Sequence, residues 1–148
     1  MKQEKYDKAL KNFNMAATIY PKSSFIHTYI GMALMHSEQT ERALEQFELA
    51  QQLNPNTPLN SFMRIQAMTN LNRNDDALSL LISLIKKHPK EPSLHIHKGK
   101  LMKRLGKKEE ALKDYNRALD LNPKDSNMVK NLIEKLNSSN DFNEDAEI

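Results

Sequence analysis

The 148-residue chain holds five histidines, His27, His36, His88, His95 and His97, and no cysteine. Without cysteine there is no thiol nucleophile, no disulfide framework and no zinc knuckle. His95 and His97 stand two residues apart, which puts them on different faces of a helix and argues against a shared metal. Three glycines leave little room for a loop that cradles phosphate. Serine and aspartate are scattered, and no nucleophile, base and acid stand together. An enzyme, a metal site and a cofactor are therefore not expected. The chemistry that the sequence does concentrate is cationic. Lys98, Lys100, Lys103, Arg104, Lys107 and Lys108 follow one another with no acid between them. Such a cluster attracts carboxylates or phosphates. Four Tyr and five Phe, several at core spacing, form no stacking platform for bases, so nucleic acid is not the expected partner.

The elements that must carry these residues are set by a period. Pro21, Pro55, Pro89 and Pro123 are evenly spaced, and the same interval separates Pro58 from Pro92. Twelve residues before each of the first four stands Ala9, Ala43, Ala77 or Ala111. Eight before stands Phe13, Phe47, Leu81 or Tyr115, and five before stands Ala16, Ala50, Leu84 or Ala118. Small, large, small at these offsets makes a close-contact stripe on one helix face. Helices are expected at 5–20, 24–37, 40–53, 58–71, 74–87, 92–105 and 108–121. Proline suits the first turn of the helices that open at Pro58 and Pro92, with Thr57 as an N-cap. Asn54-Pro55, His88-Pro89 and Asn122-Pro123 mark stops, and Gly106 suits a left-handed helix end. Residues 126–137 place Met128, Leu132, Ile133 and Leu136 on one face, as a capping helix would. Residues 138–148 carry four acids and no base, the composition of a disordered tail.

This pattern resembles the tetratricopeptide repeat, a helix–turn–helix unit of about 34 residues. The upstream half of that motif reads as His27, Ile30-Gly31 and Leu34 in one unit and as His95, Lys98-Gly99 and Met102 in another. The intervening unit departs, with Ser61, Arg64-Ile65 and Met68. The resemblance implies an all-α, right-handed solenoid. Its units are a lone second helix at 1–23, repeats at 24–57, 58–91 and 92–125, the capping helix at 126–137 and the acidic tail at 138–148. The lone second helix leaves an apolar face bare. Further repeats before residue 1, or another chain, are expected to cover it.

First helices of such repeats line a concave groove for protein partners. Thr28 and Met32, then Phe62 and Gln66, then Ile96 and Lys100 occupy matching places along it. Lys103 shares the face of Ile96 and Lys100, with His97 and Arg104 beside it. By unit, formal charge is +3 over 1–23, −3 over 24–57, +2 over 58–91, +4 over 92–125, +1 over 126–137 and −4 over 138–148. The groove thus turns from apolar to basic along the chain, which suits a partner segment with apolar and then acidic residues. The two-carboxylate clamp of some tetratricopeptide co-chaperones is not matched. Its positions fall on Thr28, Met32, Met63, Ser93 and His97, or one unit later on Phe62, Gln66, His97, Asn127 and Asn131.

A narrower resemblance rests on residues 2–10 (KQEKYDKAL) leading to 20–24 (YPKSS), and on residues 89–124, with the kernel Gly99-Lys100-Leu101-Met102-Lys103-Arg104-Leu105-Gly106. These look like the C-terminal repeats of the tetratricopeptide scaffold subunit of the anaphase-promoting complex, the one that receives Ile-Arg tails. That resemblance implies a non-catalytic scaffold of a cell-cycle ubiquitin ligase, in the nucleus and cytoplasm. Its partners would be peptide tails or neighbouring complex subunits, with no membrane. Lys100 and Lys103 belong both to the kernel and to the groove. Alternative readings are an unrelated tetratricopeptide adaptor or co-chaperone, and an RNA-processing repeat protein.

Overall fold

A computed structural model describes residues 2–122, 124 and 126–138. Among these residues the secondary structure is wholly helical. The helices are α1 (Lys2–Ile19), α2 (Ser24–His36), α3 (Thr40–Leu53), α4 (Pro58–Asn70), α5 (Asn74–Lys87), α6 (Pro92–Arg104), α7 (Lys108–Leu121) and α8 (Asn127–Ser138). The chain divides into two compact units, 1–77 and 78–148, with the cut inside α5. The expected first helix reaches back to Lys2, and the last runs one residue further, to Ser138. Ser138 therefore ends a helix, while the remainder of the expected acidic tail, and Pro123 of the expected stop, lie outside the described residues.

In the first unit α2 packs against both α1 and α3, α3 packs against α4, and α2 reaches α4. Ala43, Phe47 and Ala50 of α3 are fully buried. The reason is a glycine in the facing helix. A methyl group placed on Gly31 would fall 2.7 Å from Phe47 Cδ1, with the Cε1 atom nearer still. The absence of a side chain at Gly31 is what lets the ring press against the α2 backbone. A fully buried phenylalanine contributes about 1.5–3 kcal/mol. α1 carries the same stripe, Ala9, Phe13 and Ala16, yet none of its residues is buried. Two ring stacks hold it instead: Tyr6 on His36, with centroids 4.9 Å apart, and Phe13 on Tyr29, at 5.8 Å.

The second unit repeats the arrangement with α6 and α7. Ala111, Tyr115 and Ala118 are buried, and a methyl on Gly99 would lie 2.5 Å from Tyr115 Cε1. Its core joins Ile96, Met102, Ala111, Tyr115, Ala118, Val129 and Leu136, with Leu78, Leu132 and Ile133 packed on it. α8 thus buries Val129 and Leu136, whereas Met128, expected on the apolar face, is exposed.

Three turns close in the same way. Gln39 N–H donates to Leu34 O, Arg73 N–H to Met68 O and Lys107 N–H to Met102 O, each at 2.8 Å. This six-to-one bond defines the Schellman helix end, which needs a left-handed residue. Glu38 (φ 62°), Asn72 (φ 59°) and Gly106 (φ 77°) supply it. The three are spaced at the interval of the prolines. The turn therefore follows the repeat register and is built whether or not glycine is there. Thr57 does stand at an N-cap, but its hydroxyl makes no cap bond and lies 3.5 Å from Asn54 O.

Candidate protein-interaction surface

In the first unit the candidate positions separate by burial. Thr28 is 1% exposed and cannot meet a partner. Its hydroxyl shares one proton between Ser24 O (3.0 Å) and Asn60 Oδ1 (3.2 Å). Met32 and Phe62 are half-buried and Gln66 is exposed. Only these three candidates of the unit present surface.

Asn60 is a residue the sequence reading missed. It is fully buried. Its amide donates to Phe47 O (2.7 Å) and Gln51 Oε1 (3.2 Å), and Gln51 Nε2–H donates onward to Pro55 O (2.8 Å). The network ties α2, α3, α4 and the α3–α4 turn together, and it satisfies an amide that would otherwise be costly to bury. The available signal was a break in the register. Ile26, Leu94 and Met128 stand at the matching places in the other units.

In the second unit all five candidates lie on α6, and the structure divides them. Ile96 is 9% exposed and belongs to the core, so it too is removed from the groove. Lys100 is exposed, and His97, Lys103 and Arg104 are half-buried. Burial first, and then Lys100, hold the His97 pKa below its ordinary value. Lys98, the first residue of the basic run, turns the other way. Its ammonium lies 3.3 Å from Asp114 Oδ1 on α7. Burial nevertheless pushes the Asp114 carboxyl up, against the pull of Lys98. Tyr115 is pushed up to about 12, by burial and then by the Asp114 charge.

The two imidazoles at the large-residue positions are structural. His27 Nε2–H donates to Pro21 O (3.1 Å) and His95 Nε2–H to Pro89 O (3.2 Å), with His27 Nδ1 also 2.9 Å from Gln46 Oε1. Each fastens a first helix to the turn before it. Among the described residues no group of three or more His, Asp or Glu could hold a metal ion. No helix among them is long and apolar enough to cross a membrane.

Comparison with known proteins agrees with the helix pairs. Tetratricopeptide-repeat models match residues 28–57 and 92–125. The chain carries tetratricopeptide repeats. Its repeats are 32% identical over 136 residues to anaphase-promoting complex subunit 3 of Schizosaccharomyces pombe, covering 92% of this chain and 20% of that protein. They are 33% identical over 125 residues to the subunit of the same name in Dictyostelium discoideum, covering 82% of this chain and 13% of that one. The chain thus spans a fifth or less of these relatives. The same repeat fold is found in the thermophilic protein TTC0263 of Thermus thermophilus, with a TM-score of 0.76, 20% identity, and 88% and 72% of the two chains covered. It is found also in YrrB, described as having an unusual peptide-binding site, with a TM-score of 0.74, 23% identity, and 89% and 67% covered.

Proposed function

We propose that this chain is a non-catalytic scaffold that holds segments of other proteins on the inner faces of its first helices. We further propose that it corresponds to the C-terminal repeats of an anaphase-promoting-complex subunit 3, and so acts within a cell-cycle ubiquitin ligase in the nucleus and cytoplasm. The observation that carries the second statement is the 32% identity maintained over 92% of the chain. In this reading the repeat units run over 24–57, 58–91 and 92–125, after a lone second helix at 1–23. The partner-facing residues are Met32, Phe62 and Gln66 in the first unit and His97, Lys100, Lys103 and Arg104 in the second. Thr28 and Ile96 hold the packing behind them.

Purification of the tagged chain from its own cells, followed by mass spectrometry, tests the assignment. Recovery of proteins related to the other subunits of the anaphase-promoting complex is the expected result. Recovery of none of them, or of RNA held with a steep salt dependence, contradicts it.

A further inference from the structure

The open side of the first helices in the first unit repeats one row of positions. In α2 the exposed residues are Phe25, Tyr29 and His36, with half-buried Met32 between them. The same offsets in α4 give Leu59, Met63, Gln66 and Asn70, of which Met63 is half-buried and the others exposed. Residues at i, i+4, i+7 and i+11 share one helix face. An exposed face is ordinarily polar, yet the N-terminal half of this one is Phe25 and Tyr29 on one helix and Leu59 and Met63 on the next. Phe25 is 55% exposed, Tyr29 43% and Leu59 39%. We propose that these four residues form a docking site for an uncharged segment of a partner protein, anchored by large apolar side chains. The proposal rests on the scaffold reading above and names the chemistry of the segment that the first unit takes.

Three observations favour this occupant. The first is placement. α2, α3 and α4 are joined by short turns, so α2 and α4 run in the same direction, and the two are in contact. The Thr28 hydroxyl, 3.2 Å from Asn60 Oδ1, sets their relative level. Phe25 and Tyr29 therefore lie at the same end of the pair as Leu59 and Met63, and the four make one patch rather than scattered apolar residues. The second is spacing. Four helical residues rise about 6 Å, close to the about 6.4–6.8 Å between alternate side chains of an extended chain. Tyr29 is also stacked on Phe13, with the rings 16° from parallel, so one anchor is ordered before a partner arrives.

The third is charge. Arg64 is the single Lys, Arg, Asp or Glu of the two helices, and its Nε is buried. His36 lies about two turns along from Tyr29 and stacks on Tyr6. A charged side chain laid over the patch would lose water and gain no partner from it, whereas an apolar one gains by leaving water. In α6 the same row reads Ser93, His97, Lys100 and Arg104. An acidic segment suits that row and finds no lysine or arginine at these positions in α2 or α4.

Selection of random linear peptides displayed on phage against the immobilised full chain tests the site, with the best peptide resynthesised and titrated by fluorescence anisotropy. The expected peptides carry large apolar residues at alternate positions with no charge between them. Their binding should survive about 1 M salt, where the screening length is about 3 Å. Phe25→Ser with Leu59→Ser should weaken it about tenfold or more. Leu49→Ser, at a leucine of like exposure (38%) on α3, should leave it unchanged. Urea midpoints show whether each variant folds, and a benzophenone built into the peptide reads the site on the unaltered chain, where it should label α2 or α4. Acid-rich peptides that salt releases, an equal loss in Leu49→Ser, no loss in the Phe25→Ser, Leu59→Ser form, labelling confined to α6, α7 and α8, or no enriched peptide at all would each overturn the site. So would a dimer of the chain that Phe25→Ser dissolves, since a second copy would then be the occupant. None of these outcomes decides the scaffold reading, which stands or falls on the proteins recovered with the tagged chain.

Discussion

Gly31 against Phe47 in the first unit and Gly99 against Tyr115 in the second are one contact made twice, two repeats apart. So are the bonds from His27 to Pro21 O and from His95 to Pro89 O. Around this common frame the two units differ. Gln46 in the first becomes Asp114 in the second, and the Asp114 charge brings Lys98 with it. Asn60, which anchors a buried amide network in the first unit, is matched by the buried leucine Leu94 in the second. Thr28 and Met32 become Ile96 and Lys100. Positions that set the distance between helices are held by sterics, and positions that face outward are left to carry chemistry.

The largest effects are expected where the frame itself is filled. Gly31→Ala and Gly99→Ala each place a methyl group against a buried ring. Each should cost about 2–3 kcal/mol in urea unfolding, more than the about 1 kcal/mol that alanine returns in helix propensity. One repeat interval after Gly31 and Phe47 stand Ile65 and Leu81. Tyr115→Leu should accordingly relieve much of the cost of Gly99→Ala, and an additive pair would break the comparison. Next comes Asn60→Ala, at about 2 kcal/mol from the lost buried hydrogen bonds. Glu38→Gly should stabilise by about 1 kcal/mol, because Glu38 holds a left-handed conformation that Gly106 holds freely. Gly106→Ala should lose a similar amount by the converse.

The smallest effect is a pH dependence. Burial disfavours the imidazolium of His97, whose folded pKa lies below the ordinary 6.5. The folded state therefore binds this proton less readily than the unfolded one, and stability present above about pH 6.5 is lost as the pH falls through that region. His97→Gln should flatten this part of the urea-midpoint profile. A profile of unchanged slope would show that the loss arises elsewhere.

The repeat was legible because it is written in spacing. Prolines, alanines and aromatic residues at fixed offsets reflect a steric contact made by Phe47 on Gly31 and made again by Tyr115 on Gly99. Gly106 was legible as a helix end, but Glu38 and Asn72 were not, since a residue other than glycine hides a backbone conformation imposed by the helix pair. Of the candidate surface, Met32, Phe62, Gln66, His97, Lys100, Lys103 and Arg104 keep exposed or half-buried positions. Thr28 and Ile96 share a register position that spacing places on the inner face and packing covers. The Asn60 network was hidden because its partners, Phe47 O and Gln51, come from another helix.

The measurement that bears most directly on the account is recovery of anaphase-promoting-complex-related proteins by the tagged chain and by its Lys100→Glu, Lys103→Glu form, with equal urea midpoints confirming that both fold. Recovery by the first and at least a tenfold loss, about 1.4 kcal/mol, in the second are expected. Equal recovery by both would contradict the assignment of the α6 face as the working surface.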